Sequence, residues 1–236
     1  MHKVDIPEWV LERVRSARGK LHVFDDLDPR TTALLVIDLQ NAFMMEGVAH
    51  SLSMEARAIV PNVNRIAAAL RGAGGVVAWI QNVDTVESHT SWAVYRKLLT
   101  PERRDRRTEA MRDGSIGHEL WAELDVRPSD LRLKKERFSA FIQGSSGLEQ
   151  ELRARGIDTV VVTGTDTGVC CESTARDAMM RNFQTIMVSD GCASRTDAEH
   201  NAALIAFYRN FGDVMSADEV IGYIRANAPA EAAVSA

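Results

Sequence analysis

Residues 159–181 read TVVVTGTDTGVCCESTARDAMMR. The opening run, 159–163, is β-branched and apolar without alternation, as in a strand covered on both faces. A turn with Gly164 and Gly168 follows, and a helical stretch is expected over 170–181. Strand, glycine-bearing turn and helix in that order make up half of a parallel crossover unit.

The same rhythm extends in both directions. ALLVID at 33–38 and VVAWIQ at 76–81 read as buried strands, and further strands are expected over 131–135, 185–189 and 213–216. Between them lie helical patterns over 60–71, 148–155, 198–210 and 217–226, with Val63, Ile66, Ala67 and Leu70 forming one apolar stripe and Gly156 stopping another helix. The expectation is a single α/β domain over 31–226, an open parallel sheet with helices on both faces. Ahead of it, 1–30 form a helical extension. Its helix, 7–20, carries Trp9, Val10, Val14 and Ala17 at helical spacing and packs on the domain or on a neighbouring subunit. The alanine-rich end, 227–236, reads as frayed.

One interval breaks the pattern. Residues 84–126 are long and charged and carry Trp92, Tyr95 and Trp121. Loops of this length in compact domains are usually functional, often as a lid. The other reading is a solvated helix in which Arg103, Arg104, Arg106 and Arg107 pair with Glu102, Asp105, Glu109 and Asp113 at i, i+4 spacing. As a lid, these arginines favour an anionic substrate.

Composition narrows the function. With 45% hydrophobic and 26% charged residues, the 236-residue chain can bury a full core. A net charge of −5 disfavours a nucleic-acid partner. No apolar signal segment and no run of about 18 apolar residues is present, so no membrane association is expected. The three cysteines are odd in number and two are adjacent, which suits a reducing cytoplasm rather than a disulfide framework.

Ligands of open α/β sheets bind at the carboxyl ends of the strands. Three chemically able residues fall there: Asp38, Lys135 and Cys170. At a helix start, the dipole and free N–H groups favour a thiolate at Cys170, and a nearby lysine lowers its pKa further. Asp38 could accept its proton, and the preceding turn offers N–H donors to a developing oxyanion. The bland reading of Cys170 is a buried, inert thiol.

Four segments carry a resemblance: 33–43 (ALLVIDLQNAF), 135–141 (KERFSAF), 163–178 (TGTDTGVCCESTARDA) and 189–194 (SDGCAS). In this order and spacing they resemble the isochorismatase-like cysteine hydrolases, over about 31–215. The resemblance implies a six-stranded parallel sheet and a Cys170–Asp38–Lys135 triad, with Lys134 the neighbouring alternative to Lys135. It also implies a non-proline cis peptide before Asp166, and an oxyanion hole from the N–H groups of Asp166 and Cys170. Aspartate at 166 departs from the small apolar residue usual there, and a carboxylate facing the site would oppose a thiolate. The Asp–His–His metal site of nicotinamidases has no counterpart here, since His89 stands alone after Asp84; neither metal nor cofactor is expected.

Many vinyl-ether-cleaving isochorismate hydrolases lack the cysteine, so its presence points to acyl chemistry. The helix after Cys170, with Gln81-Asn82, looks closest to the ureidoacrylate and N-carbamoyl amidohydrolase branch. Asn41, Phe43, Gln81, Asn82 and Phe141 are the substrate-binding candidates. Arg176, Asp177, His200 and Trp79 read as structural. A small-molecule substrate and a homodimer or homotetramer complete the expectation.

Overall fold

The structure is a computed structural model that describes residues 1–229. Six strands form one parallel sheet in the order β3-β2-β1-β4-β5-β6. They are β1 (Thr32–Ile37), β2 (Val76–Asn82), β3 (Leu131–Lys135), β4 (Thr159–Thr165), β5 (Gln184–Ala193) and β6 (Asp213–Met215). The apolar runs in the sequence become these strands, and β5 continues past the expected 189 to Ala193. The helices are α1 (Glu8–Arg18), α2 (Asn41–Met44), α3 (Glu55–Ala58), α4 (Val60–Gly72), α5 (Val86–Ser91), α6 (Ala93–Lys97), α7 (Pro101–Met111), α8 (Leu148–Ala154), α9 (Glu172–Met180), α10 (Asp197–Asn210) and α11 (Ala217–Ala226).

Alternate side chains of each strand enter opposite layers, as the pleat requires. Ala33, Leu35 and Ile37 pack with Val160 and Val162 beneath α1, α8, α9 and α10. Leu34 and Val36 pack with Val77, Trp79 and Val161 beneath α4 and α11. Both faces are therefore covered, which is why the strands read as unbroken apolar runs.

The α1 helix buries Val10 and Val14, but Trp9 lies 53% exposed, with Arg209 stacked on its ring. Trp9 and the exposed Ala17 do not belong to the buried stripe expected of them; Val10 and Val14, with Leu11 partly buried, face the core. Residues 230–236, most of the expected frayed end, lie outside the described residues. Its first residue, Asn227, donates from Nδ2 to the Asp25 carbonyl at 3.0 Å. No helix among the described residues is long and apolar enough to cross a membrane.

Strand order reverses direction at β1, which lies between β2 and β4, so the connections leave to opposite faces there and open a crevice at the carboxyl ends. Gly164 lets β4 close against β1. Its φ is +120°, and a Cβ there would stand 2.0 Å from the Ile37 carbonyl oxygen. Any side chain would force the two strand ends apart just where Asp38 leaves β1.

Candidate active site

Asp38 follows β1 directly and adopts a left-handed backbone with φ of +55°, a region that aspartate tolerates better than most residues. The turn is held by the Asp38 N–H donating to Ile80 O at 2.9 Å and by Gln40 N–H donating to Asp38 O at 2.8 Å. The side chain is fully buried. Lys135 ends β3, two strands away, and pairs in register with Asn82 of β2. Neighbouring strands lie about 4.8 Å apart, so only a long stem can cross β2. The lysine does so, and its Nζ donates to Asp38 Oδ2 at 2.8 Å and to Arg137 O at 3.0 Å. Burial pulls the Lys135 pKa down, but the charge of Asp38 and the hydrogen bond to it outweigh this and hold the ammonium above its ordinary range. Lys134 points outward to Asp113 at 2.7 Å and plays no part here.

Cys170 approaches from the other side of β1. The expected helix start at 170 is corrected: β4 leads into a wide turn over Thr167–Cys171, and the regular helix begins only at Glu172. The turn starts at Asp166, and the Thr165–Asp166 peptide is cis. Burial opposes the thiolate that a helix start favours. Burial pushes the Cys170 thiol well above its ordinary range, the Asp38 carboxylate pushes it the same way, and Lys135 pulls back too weakly to offset them. Asp38 Oδ1 is buried and has no hydrogen-bond partner among the described residues. The resting arrangement is a neutral thiol, a free carboxylate oxygen beside it and an ammonium on the other oxygen.

Cys170 borders a cavity of about 640 Å³ whose lining also includes Asp166, Asn82 and Phe43, while Asp38 and Lys135 are fully buried and do not line it. Three expected binding residues stay outside it. Asn41 is buried and donates from Nδ2 to Ile116 O at 2.9 Å, bracing the chain after β1. Gln81 donates to His118 O at 2.7 Å, because strand alternation turns it away from the face that Asn82 presents. Phe141 packs on Phe183 with ring centroids 5.2 Å apart, in the core under α8. The cavity wall is instead built from Tyr95, Phe138, Arg107, Arg195 and Arg176. Arg176, read from the sequence as structural, therefore borders the cavity, although Glu172 holds it at 2.5 Å.

Asp166 also lines the cavity. Its carboxylate is occupied: Oδ1 accepts from Gly168 N–H at 3.1 Å and from Ser194 Oγ at 2.6 Å. The conflict that an unengaged carboxylate would create with a thiolate is thereby reduced. Ser194 is itself held by His2, whose Nε2 accepts from Ser194 N–H at 3.0 Å while its ring stacks on His200. His200 bonds Thr167 Oγ1 at 2.9 Å and Ser189 O at 2.9 Å, a packing role as the sequence suggests. Nothing in the local sequence signals the His2 contact, since it spans nearly the whole chain.

The 84–126 interval folds into α5, α6 and α7 and covers one side of the cavity with Tyr95 and Arg107. The i, i+4 ion pairs expected along α7 do not form among the described residues. Asp84 instead gathers His89 at 2.8 Å, Arg107 at 3.4 Å and Arg96 at 3.5 Å. His89 is thus paired with the aspartate it follows rather than alone. Among the described residues, no cluster of three or more histidine, cysteine, aspartate or glutamate side chains is placed to hold a metal ion.

The three thiols differ in their access to the cavity. Cys170 alone of the three cysteines borders the cavity, while Cys171 faces Thr163 O and Cys192 faces Val162 O in the core. Iodoacetamide is expected to modify Cys170 first, slowly at neutral pH and faster as pH rises, because burial keeps the thiol protonated. Peptide mapping of the alkylated protein checks this, and earlier labelling of Cys171 or Cys192 would contradict it.

Residues 32–219 match the isochorismatase domain family, most of the chain's length. The chain belongs to the isochorismatase family. Among its relatives within that family, the ureidoacrylate amidohydrolase RutB of Methylobacterium radiotolerans is 34% identical over 222 residues, covering 87% of this chain and 85% of the relative. A cysteine hydrolase from Pseudomonas syringae pv. phaseolicola superposes with a TM-score of 0.75 at 25% identity, covering 86% of this chain and 96% of that one. The N-carbamoylsarcosine amidase of Thermoplasma acidophilum gives a TM-score of 0.64 at 28% identity, over 80% of this chain and 97% of that one. This isochorismatase-family chain has an open six-stranded parallel sheet preceded by α1.

Proposed function

We propose that this isochorismatase-like hydrolase is a cysteine-dependent amidohydrolase. It cleaves the C–N bond of a small ureido, carbamoyl or amide substrate and releases ammonia or an amine. The observation that carries the reading is Lys135 Nζ fixed on one oxygen of Asp38 while the other oxygen has no partner, at the strand edge where Cys170 borders the cavity. The printed names of the relatives, an amidohydrolase and an amidase, support the same bond type.

In the first step the thiol proton passes to Asp38 as sulfur attacks the substrate carbonyl carbon. Lys135 steadies the Asp38 carboxylate before the transfer and the negative charge that develops on sulfur as its proton leaves. The carbonyl oxygen becomes an oxyanion held by the N–H groups of Asp166 and Cys170. Collapse breaks the C–N bond, and Asp38 returns its proton to the departing nitrogen, leaving a thioester. Water then attacks that thioester with Asp38 as base, and the proton it takes restores the thiol. No step calls for a metal or a cofactor.

The resting neutral thiol fits this order, because sulfur becomes nucleophilic only where Asp38 can take its proton. Ammonia release across a panel of ureido acids, N-carbamoyl amino acids and simple amides tests the reading. Turnover of at least one ureido or carbamoyl compound is expected. No ammonia from any of them, with vinyl-ether cleavage of isochorismate instead, would replace it.

A further inference from the structure

Residues 3–5 are exposed, yet His2 beside them is driven inward until its side chain is only 2% exposed. The segment is pinned along the start of α10. Asp5 N–H donates to Asn201 Oδ1 at 2.8 Å, and Asn201 Nδ2 donates to Lys3 O at 2.9 Å. The His2 ring lies on that of His200, with centroids 4.4 Å apart and 19° between the planes. At 3.6 residues per turn, Asp197 and Asn201 share one side of α10, while Ala202 and Ala206 on the other side line the reaction cavity. The helix is clamped between the segment and the site.

The protons along this contact have defined places. A carboxylate only accepts, so His2 Nδ1, 2.8 Å from Asp197 Oδ1, carries the proton. Nε2 then presents its lone pair; the Ser194 carbonyl oxygen lies 3.2 Å away, but the nearer Ser194 N–H, at 3.0 Å, is the complementary partner. Ser194 is fully buried just after β5, and its Oγ donates to Asp166 Oδ1 at 2.6 Å. The same oxygen accepts the Gly168 N–H at 3.1 Å, so the aspartate is gripped from within its turn and from β5. His200 holds the next residue. Its Nε2 donates to Ser189 O, which leaves Nδ1 to accept from Thr167 Oγ1, both at 2.9 Å. Two stacked imidazoles therefore fix residues 166 and 167, and one of them comes from the far end of the chain.

We propose that His2 is a positioning residue for the oxyanion turn, acting through Ser194 on Asp166. In the proposed reaction the N–H groups of Asp166 and Cys170 hold the oxyanion, and such donors work only when they are aimed before the reaction begins. An aspartate anchored at its carboxylate cannot turn its backbone away, and the anchor is itself held by His2. With Ser194 released, the hydroxyl and the turn it steadies gain freedom. The inference rests on the acyl-transfer reading of Cys170 and extends the working unit to a segment that precedes the matched domain, 32–219. An interaction that acts on the oxyanion changes kcat and leaves substrate binding alone.

Two reagents separate positioning from support of the fold. p-Nitrophenyl acetate acylates the thiol through an oxyanion: sulfur bonds to the carbonyl carbon, Asp38 takes the thiol proton and p-nitrophenolate leaves. Iodoacetamide alkylates the same sulfur by displacing iodide and forms no oxyanion. His2→Phe keeps a ring on His200 but offers Ser194 no acceptor, whereas His2→Gln returns one. His2→Phe is expected to acylate Cys170 about tenfold more slowly than the parent and to alkylate within about twofold of it, because misalignment by about an ångström costs up to about 10²-fold. His2→Gln should recover most of the acylation rate. Ser194→Ala should slow acylation as well, and His2→Phe/Ser194→Ala no further than Ser194→Ala alone. For any ureido or carbamoyl compound that the parent turns over, kcat should fall in His2→Phe at unchanged KM. Mass spectrometry locates the acetyl and carbamidomethyl groups. Acylation at the parental rate in His2→Phe, or equal slowing of acylation and alkylation, would overturn the proposal. A parent whose Cys170 the ester does not acylate would overturn it together with the oxyanion turn. The amidohydrolase reading fails separately: no ammonia from any ureido, carbamoyl or amide compound removes that reading, while the ratio of acylation to alkylation still decides on His2.

Discussion

Replacing Cys170 by alanine is expected to abolish ammonia release, lowering kcat by on the order of 10⁴-fold or more while the protein stays folded. Loss of a nucleophile that works as one unit with its base typically has an effect of this size. The side chain removed is small, and it borders a cavity, so little packing is lost. Cys171→Ala and Cys192→Ala are the matched controls: both thiols lie in the core against carbonyl oxygens and should leave kcat within a few-fold. Steady-state ammonia assays on purified variants, with circular dichroism to verify folding, decide the matter. Retention of most activity in Cys170→Ala would mean that Asp38 activates water or substrate directly, as the vinyl-ether alternative requires.

The buried Asp38–Lys135 pair should show the largest effect on stability. Both side chains are fully buried at 2.8 Å, so removing one leaves an uncompensated charge in the interior. Lys135→Met or Asp38→Asn alone is expected to cost about 3–5 kcal/mol, or about 6–20 °C in Tm for a chain of this size. Activity should fall by at least about 10²-fold in each, the usual contribution of a positioned acid–base group. The double variant Asp38→Asn/Lys135→Met should regain much of the stability and none of the activity. That separates the role of the pair in chemistry from its role in the fold. Thermal unfolding of the set checks this, and a double variant no more stable than either single one would refute it.

The pH dependence follows from the same groups. Lys135 has a folded pKa raised above its ordinary 10.5, so its contribution to stability is full below that value and is lost as pH rises through the folded one. Cys170 behaves alike. Its folded thiol resists ionising while the unfolded thiol ionises near 9.0, so stability declines above about that pH. Both signs point to the alkaline side, and the parent should lose stability there more steeply than Asp38→Asn/Lys135→Met.

Much of the architecture was legible in the residues. Covered parallel strands leave unbroken apolar runs, and the runs at β1, β2, β4 and β5 needed no tertiary information to be recognised. The three triad candidates were legible for a related reason: Asp38, Lys135 and Cys170 stand at or just beyond strand ends, and a parallel sheet sends all such ends to one edge. The wall was not legible. Gln81 and Asn82 are neighbours in sequence, and only the pleat decides that Asn82 faces the cavity. Asn41 and Phe141 follow functional residues closely but are drawn into backbone bracing and core packing.

What the sequence determined by itself was the alternation of elements, and with it the sheet, its functional edge and the chemical groups delivered there. What only the tertiary structure decided was the state and setting of those groups. Burial makes the Cys170 thiol neutral against the expectation from a helix start, and Lys135 reaches Asp38 across an intervening strand. Arginines from α7 and from the turn after β5 meet in the cavity wall. The physical reason is range. Periodicity and turn chemistry act between residues a few positions apart and are written locally. Desolvation and charge depend on what arrives from distant segments, and that is settled only when the chain closes on itself.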